Sequence, residues 1–420
     1  MASEYYLMLE NQPVLYFNFD DIETKIINKD LLPFAIREKL TTPDVSDLKK
    51  YFQENSKNIS CIKDYASSRI LSLSRENAKQ IYAACNLSQD NGIENRLQIC
   101  FSCKGVSLND SYWFKKPDSE EKWEDVNIRH RHLSEIVDVA LAGESPTITT
   151  DPICPELTTK GLFRKAWIRE NDTLYLLKSD RTNTFVNTQA ELLSSKILDC
   201  TDIPHVRYER GKYKEMLVSK CPNFVPDGMS FVEAHEVMSY CRDVGIDFSE
   251  FALKKFGKDF ANIAVIDYIL QNTDRHDQNY GFLMDNRTGK LCFVAPLFDH
   301  NQALIADFLN KDVTNTLSQM LGEKLTIKET LDKFSQYADF TLDLSKWEKV
   351  KEENREYAAV LERVEERISG LRCVRKEISV NQVLEFDEML QDVNRQMKNF
   401  GNEKDDVLTE RVCDERVKER

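Results

Sequence analysis

Three oxygen-bearing side chains stand close together in this chain. Asp274 is followed five residues later by the carboxamide of Asn279, within Gln271-Asn-Thr-Asp-Arg-His-Asp-Gln-Asn-Tyr-Gly-Phe282. A second carboxylate, Asp299, closes Ala295-Pro-Leu-Phe-Asp299. Phosphoryl transfer from ATP needs groups of this kind. One carboxylate orients the attacking hydroxyl, and an amide oxygen with another carboxylate holds magnesium on the phosphates. On that chemistry Asp274 is the catalytic group, and Asn279 and Asp299 are the metal ligands. His276 lies between them. As a general base it competes with Asp274; as a loop residue it holds the backbone by a hydrogen bond. Arg275 is placed to meet a phosphorylated group or a nearby carboxylate, or else to lie at the surface, and Asp277 to cap the loop.

Such a loop must be delivered by rigid elements. Residues 251–270 read as one helix, with Phe256, Phe260, Ile263 and Ile266 on its buried side. Met284 and Leu291 flank a turn-prone run, so 280–294 is predicted to be a hairpin. Upstream, Lys178 ends a strand and Glu191 sits in the first turns of a helix over 187–198. A lysine so placed neutralises the α- and β-phosphates, and the glutamate holds it in position. The stretch 157–164 occupies the place of a phosphate-covering loop, where backbone amides, Thr158, Thr159, Lys160 and the single Gly161 meet phosphate oxygens. Ser219, Lys220 and Cys221 fall where a hinge offers backbone groups to adenine. Strands are predicted over 162–169 and 174–178, and over 206–208 and 215–219 with a Gly211-Lys212 turn. The order β-β-α-β-β is that of the small lobe of a protein-kinase-like fold, and the Asp274-to-Asn279 spacing is the one protein kinases use.

The fold class expected is α+β: a bilobal kinase-like fold, with a β-rich small lobe and a large helical lobe, behind an additional N-terminal α/β domain. Glycine and proline cluster between Gly143 and Pro155 and mark a boundary. The units are therefore placed at 1–148, 149–222 and 223–420. In the first, 5–19 reads as strand, and 44–52 and 74–84 as helix; Trp113 and Trp123 read as local core. Near the other end a helix is predicted from Ser345, boxed by Glu348, running to a stop at Gly370. Residues 402–420 are mainly charged and are expected to fray.

Of 420 residues, 41% are apolar and 30% charged, and the formal net charge is -14. That balance argues against direct nucleic-acid binding or an anionic membrane surface, which rely on a basic face. The sequence shows no apolar run long enough for a bilayer and no secretory leader, so a cytoplasmic location is expected. The 11 cysteines, an odd number, read as reduced and mostly buried. Cys100 and Cys103 form a CxxC with no second ligand pair nearby for zinc.

Asp274-Arg-His-Asp-Gln-Asn279-Tyr-Gly-Phe282 and Ala295-Pro-Leu-Phe-Asp299 resemble the catalytic loop and metal motif of the HipA-like serine/threonine kinase family. Lys165-Ala-Trp, Tyr175-Leu-Leu-Lys178 and Ala190-Glu191 resemble its small-lobe strands and helix. The resemblance covers roughly 150–345; the first 150 residues and the one-glycine loop depart from it. It implies a bilobal kinase using ATP and magnesium on a protein substrate, with a small helix-turn-helix antitoxin as partner. It also implies autophosphorylation at Thr158 or Thr159. The Asp-Arg-His-x-x-Asn string is similar to phosphoinositide kinases as well, so a lipid or small-molecule kinase is an alternative. A catalytically inactive kinase fold serving as a binding module is another.

Overall fold

The computed structural model describes residues 4–130, 136–146, 152–180 and 185–377. Thr147 to Thr150 of the expected boundary and the charged run 402–420 lie outside the described residues.

Four strands open the chain: β1 (Glu4–Leu9), β2 (Gln12–Asn18), β3 (Glu23–Ile26) and β4 (Tyr112–Lys115), antiparallel in the order β3-β2-β1-β4. Their alternating apolar residues face α1 (Leu48–Ser68), α2 (Ala78–Ala84) and α3 (Ile93–Ser102); α4 (Trp123–Val126) is a single turn. Asp47 caps α1, its carboxylate accepting from the amides of Lys49 and Lys50 at 3.0 and 3.1 Å. The helix runs well past the expected end at residue 52. Its buried face includes Asn55 and Asn58, satisfied by Thr24 at 2.7 and 2.9 Å, and polar residues there interrupt the apolar period.

The next sheet is made by β5 (Arg164–Glu170), β6 (Thr173–Ser179), β7 (Glu209–Tyr213) and β8 (Met216–Pro222), in the order β5-β6-β8-β7. Asn171 and Asp172, both at positive φ, make the tight turn between β5 and β6. Helix α5 (Val186–Leu198) connects the two hairpins. The second hairpin turns at Lys214 and Glu215, not at Gly211-Lys212 as expected. Gly211 sits inside β7 opposite Val218, and a Cβ there would lie 2.9 Å from a Val218 methyl. The glycine marks a close approach between strands rather than a turn.

Strands β9 (Met229–Glu233), β10 (Gly281–Asp285) and β11 (Lys290–Val294) form a third sheet, ordered β11-β10-β9, with Met284 opposite Leu291 as expected. Helices α6 (Ala234–Asp243), α7 (Phe248–Phe256) and α8 (Lys258–Ile269) lie between β9 and β10 in sequence. The single helix expected over 251–270 is in fact α7 and α8. Gly257, at φ +53 and ψ -123, breaks it in a conformation that only glycine adopts readily. Beyond lie α9 (Ile305–Phe308), α10 (Ile327–Phe334), β12 (Phe340–Asp343), α11 (Leu344–Glu353), α12 (Ala358–Ser369) and β13 (Val374–Glu377). The long helix expected from Ser345 is likewise two. Asp343, not a Ser345–Glu348 box, caps α11, and Asn354 interrupts the run, its side chain donating to the Val350 carbonyl at 2.7 Å.

One hydrophobic cluster runs from Tyr5 in β1 to Ile368 in α12, so the first sheet shares its core with the later elements. Trp113, Trp123 and Trp167 centre a second, smaller cluster. The described cysteines are free thiols; Cys100 and Cys103 are buried. Among the described residues no helix is long and apolar enough to cross a membrane.

Candidate active site

Helix α8 is buried almost all round, and a carboxylate in its last turn anchors the loop beyond it. Asp267 accepts from Arg275 Nε at 3.1 and 3.2 Å and from Asn272 Nδ2 at 3.1 Å. The Arg275 side chain is only 1% exposed. Its Nη1 donates to the carbonyls of Asn279 at 2.7 Å and Phe298 at 2.8 Å. One guanidinium therefore ties the loop bearing Asp274 and Asn279 to the segment bearing Asp299. Of the sequence readings of Arg275, the nearby carboxylate is the one met, in Asp267, and the side chain is buried rather than at the surface.

Within the loop, Asn279 Nδ2 donates to the Asp274 carbonyl at 2.9 Å, which orients the amide and leaves its oxygen available to accept or to hold a cation. Burial raises the Asp274 carboxyl above its ordinary value, against the pull of His276. The His276 Nδ1 accepts from the Gln278 amide at 3.2 Å, so this ring nitrogen is engaged in holding the loop.

Asp299, at φ +57, turns back toward the second sheet. Lys178 Nζ lies 3.0 Å from Asp299 Oδ1 and 2.7 Å from Glu191 Oε1, all three side chains largely buried. Ser219 Oγ donates to the other Glu191 oxygen at 2.5 Å, and the Asp299 amide donates to Tyr208 Oη at 3.2 Å. Burial alone would raise the Asp299 carboxyl, but Lys178 and Lys165 overcome it and hold the group at about 2. Burial also opposes the charge on Lys178, and Asp299 and Glu191 outweigh it, so the ammonium stays protonated.

Lys165 is the functional candidate that sequence reasoning passed over. It is the Cα partner of Lys178 across β5 and β6. Like charges directly opposite are destabilising, so the pair persists because anions face it. Among the described residues its Nζ has no hydrogen-bond or ion-pair partner, and burial lowers its pKa to about 8 against the attraction of Asp299. Gly161, at φ +99, covers it: a Cβ at that position would lie 2.3 Å from the Lys165 nitrogen. The signal was in the sequence. Once Asn171-Asp172 is taken as the turn, Lys165 and Lys178 stand at equal distances on either side of it.

The neighbouring expected phosphate ligands are engaged elsewhere. Thr158 and Thr159 donate to the Pro155 carbonyl at 3.4 and 2.6 Å, Thr159 also accepts from Trp167 Nε1 at 2.9 Å, and Lys160 pairs with Glu233 at 2.9 Å. The expected hinge residues lie within β8. Ser219 and Lys220 are paired on both edges, by β6 and β7, whereas Cys221 is paired by β6 alone. Lys220 points away to Glu170 and over the Tyr175 ring. Among the described residues, the strand edge left open on the β7 side therefore begins at Cys221.

An antiparallel sheet bearing a lysine that pairs with a glutamate of the helix between its hairpins, set against a helical lobe bearing an Asp–Asn loop and a second aspartate, defines a bilobal kinase-like phosphotransferase. A family model described as phosphatidylinositol 3- and 4-kinase matches residues 70–313, more than half of the chain, and the protein belongs to that family. In fold the chain is similar to the Helicobacter pylori proinflammatory kinase CtkA, with 17% identity and a TM-score of 0.39, over 51% of this chain and 90% of that one. It is also similar to a chain from the Shewanella oneidensis MR-1 toxin–antitoxin complex of HipA, HipB and operator DNA. There the identity is 12% and the TM-score 0.44, over 86% of this chain and 97% of that one. The HipA-like resemblance thus stands as a distant structural likeness. No curated protein matches the chain.

Proposed function

We propose that this protein is an ATP-dependent kinase that transfers the γ-phosphate to a serine or threonine hydroxyl of another protein. The observation that carries this is the meeting of Lys178, Glu191 and Asp299, brought from β6, α5 and the segment after β11 into one buried cluster. The donor set suits magnesium: an aspartate held ionised at about 2 and an amide oxygen, both hard ligands. When bound, the ion offsets the charge that spreads over the phosphate oxygens. Asp299 and Asn279 hold it. Lys178 and Lys165 receive phosphate oxygens, with the Gly161 backbone lying over Lys165. Asp274 accepts a hydrogen bond from the attacking hydroxyl, orients it and takes its proton; its raised pKa makes it a better base. His276 is a loop-holding residue in this scheme. Thr158 and Thr159 are tied to Pro155, so autophosphorylation there requires the segment to open first.

For the acceptor, a cleft of about 480 Å³ opens beside the loop at Asp277. Its charged lining includes Glu236, Asp247 and Glu323 against Lys39 and Arg242. A cleft lined by both signs of charge, with His235 also on its wall, on a chain of net charge -14 favours a peptide over an anionic lipid headgroup. The family match favours the second reading, a phosphoinositide acceptor. An antitoxin partner rests on the sequence resemblance alone. The test is transfer from γ-labelled ATP with magnesium to lysate proteins and, separately, to phosphatidylinositol vesicles, with Asp274→Asn as control. Label on protein that Asp274→Asn abolishes is the expected result. Label on lipid alone overturns the protein reading, and ATP binding with no transfer to either makes the protein a binding module.

A further inference from the structure

The first 130 residues meet the stretch from Glu156 to Lys165 around a buried cation. Arg75, 3% exposed, follows α1 and lies before α2. Its Nη1 donates to the Thr159 carbonyl at 2.9 Å and approaches that of Glu156 at 3.5 Å. Its Nη2 donates to the Lys165 carbonyl at 2.6 Å. These carbonyls lie on both sides of Gly161. Two backbone bonds run beside them, from the Leu71 amide to the Leu157 carbonyl at 2.7 Å and from the Glu76 amide to the Leu162 carbonyl at 3.2 Å. Arg164 adds an ion pair to Glu76 at 3.4 Å. Burying a guanidinium against main-chain carbonyls carries a large desolvation cost, and a surface that only had to pack would use an apolar residue.

We infer that Arg75 is a positioning residue for nucleotide binding. It fixes the stretch from Glu156 to Lys165, and so sets the Gly161 backbone and the Lys165 ammonium where phosphate oxygens arrive. Residues 71–76 thereby form part of the nucleotide site although they touch no nucleotide themselves. This rests on the reading above that the stretch meets the phosphates of ATP. The family match begins at residue 70 and takes in Arg75.

The experiment compares ATP with adenosine by calorimetry on the full chain, because only ATP reports the phosphate contacts. In the native protein ATP binds more tightly than adenosine. In Arg75→Met the ATP affinity falls about tenfold, the effect of losing the one charge-assisted hydrogen bond from Lys165 that Arg75 positions, and the adenosine affinity stays unchanged. If the native protein binds ATP no better than adenosine, the phosphate reading itself fails. If the native protein shows the gain and Arg75→Met keeps it, the inference is wrong. Equal losses for both ligands make Arg75 merely structural and also overturn it. Should Arg75→Met not fold, Arg75→Lys keeps the charge but bonds fewer carbonyls. A partial loss of the ATP gain is expected there, and full native affinity would sink the inference.

Discussion

The ammonium of Lys178 stands 3.0 Å from the carboxylate of Asp299, a residue 121 positions further along the chain. The same nitrogen is 2.7 Å from Glu191, which is 1% exposed. The two acidic groups share this cation, and removing it leaves Glu191 with the Ser219 hydroxyl and Asp299 with the more weakly placed charge of Lys165.

Lys178→Met should therefore lose stability as well as transfer. Breaking a buried pair from one side costs about 3–5 kcal/mol. Adding Glu191→Gln to Lys178→Met should recover part of that in urea unfolding while transfer stays lost. If the single variant unfolds like the native protein, the cluster is not the electrostatic unit described.

Lys165 offers a second readout. Its pKa of about 8 lies below the ordinary lysine value because the group is buried. Arriving phosphates favour the charged form and raise it. At pH 8 nucleotide binding should then take up roughly half a proton. Calorimetry in buffers of different ionisation heat measures this directly, and Lys165→Met should abolish it. Unchanged uptake in the variant would place Lys165 outside the phosphate site.

Arg275 should act on two loops at once. Arg275→Met leaves Asp267 buried without its cation, an expected loss of about 3–5 kcal/mol. It also frees the Asn279 and Phe298 carbonyls, so the magnesium requirement for transfer should rise in the folded fraction. A variant equally destabilised by a core substitution far from the cleft, such as Leu7→Ala, should keep the native magnesium dependence.

Glu156 predicts a pH dependence of known sign. Burial raises its carboxyl from the ordinary 4.5 to about 7, against the hydrogen bond from the Trp167 amide and the weaker pull of Arg75. The folded state thus keeps a proton that the unfolded state releases. Stability from this group is full below 4.5 and is lost as pH rises through 7, by about 3 kcal/mol in all. Glu156→Gln should flatten that part of the curve and be more stable than the native protein at pH 8. Parallel unfolding curves from pH 5 to 8 would contradict it.

What was legible in the sequence depended on range. The hairpin over β10 and β11 was readable because its turn residues lie between matched apolar partners. Lys178 and Glu191 were readable as a pair because the strand-to-helix order is local. Gly257 was not, since the helical period of α7 continues into α8 and only backbone geometry shows the break. Lys165 needed the register of a hairpin, not just its existence. Arg75 bonds carbonyls as far as 90 residues away, and no spacing announces such a contact. Asn55 and Asn58 hid the length of α1, because buried polar residues satisfied by a distant strand look like surface.

The unbroken cluster from β1 to α12 has a further consequence. A cleft whose walls share their packing with the first sheet cannot be excised from it. Cutting the chain after residue 148 would expose apolar faces on both fragments, and neither is expected to remain in solution as a working piece. Heating should accordingly give one cooperative transition, in which loss of nucleotide binding and loss of the β1–β4 sheet coincide. Substitutions at Leu7 or Phe17, far in sequence from Asp274, then act on turnover through the fraction of molecules folded rather than through the chemistry.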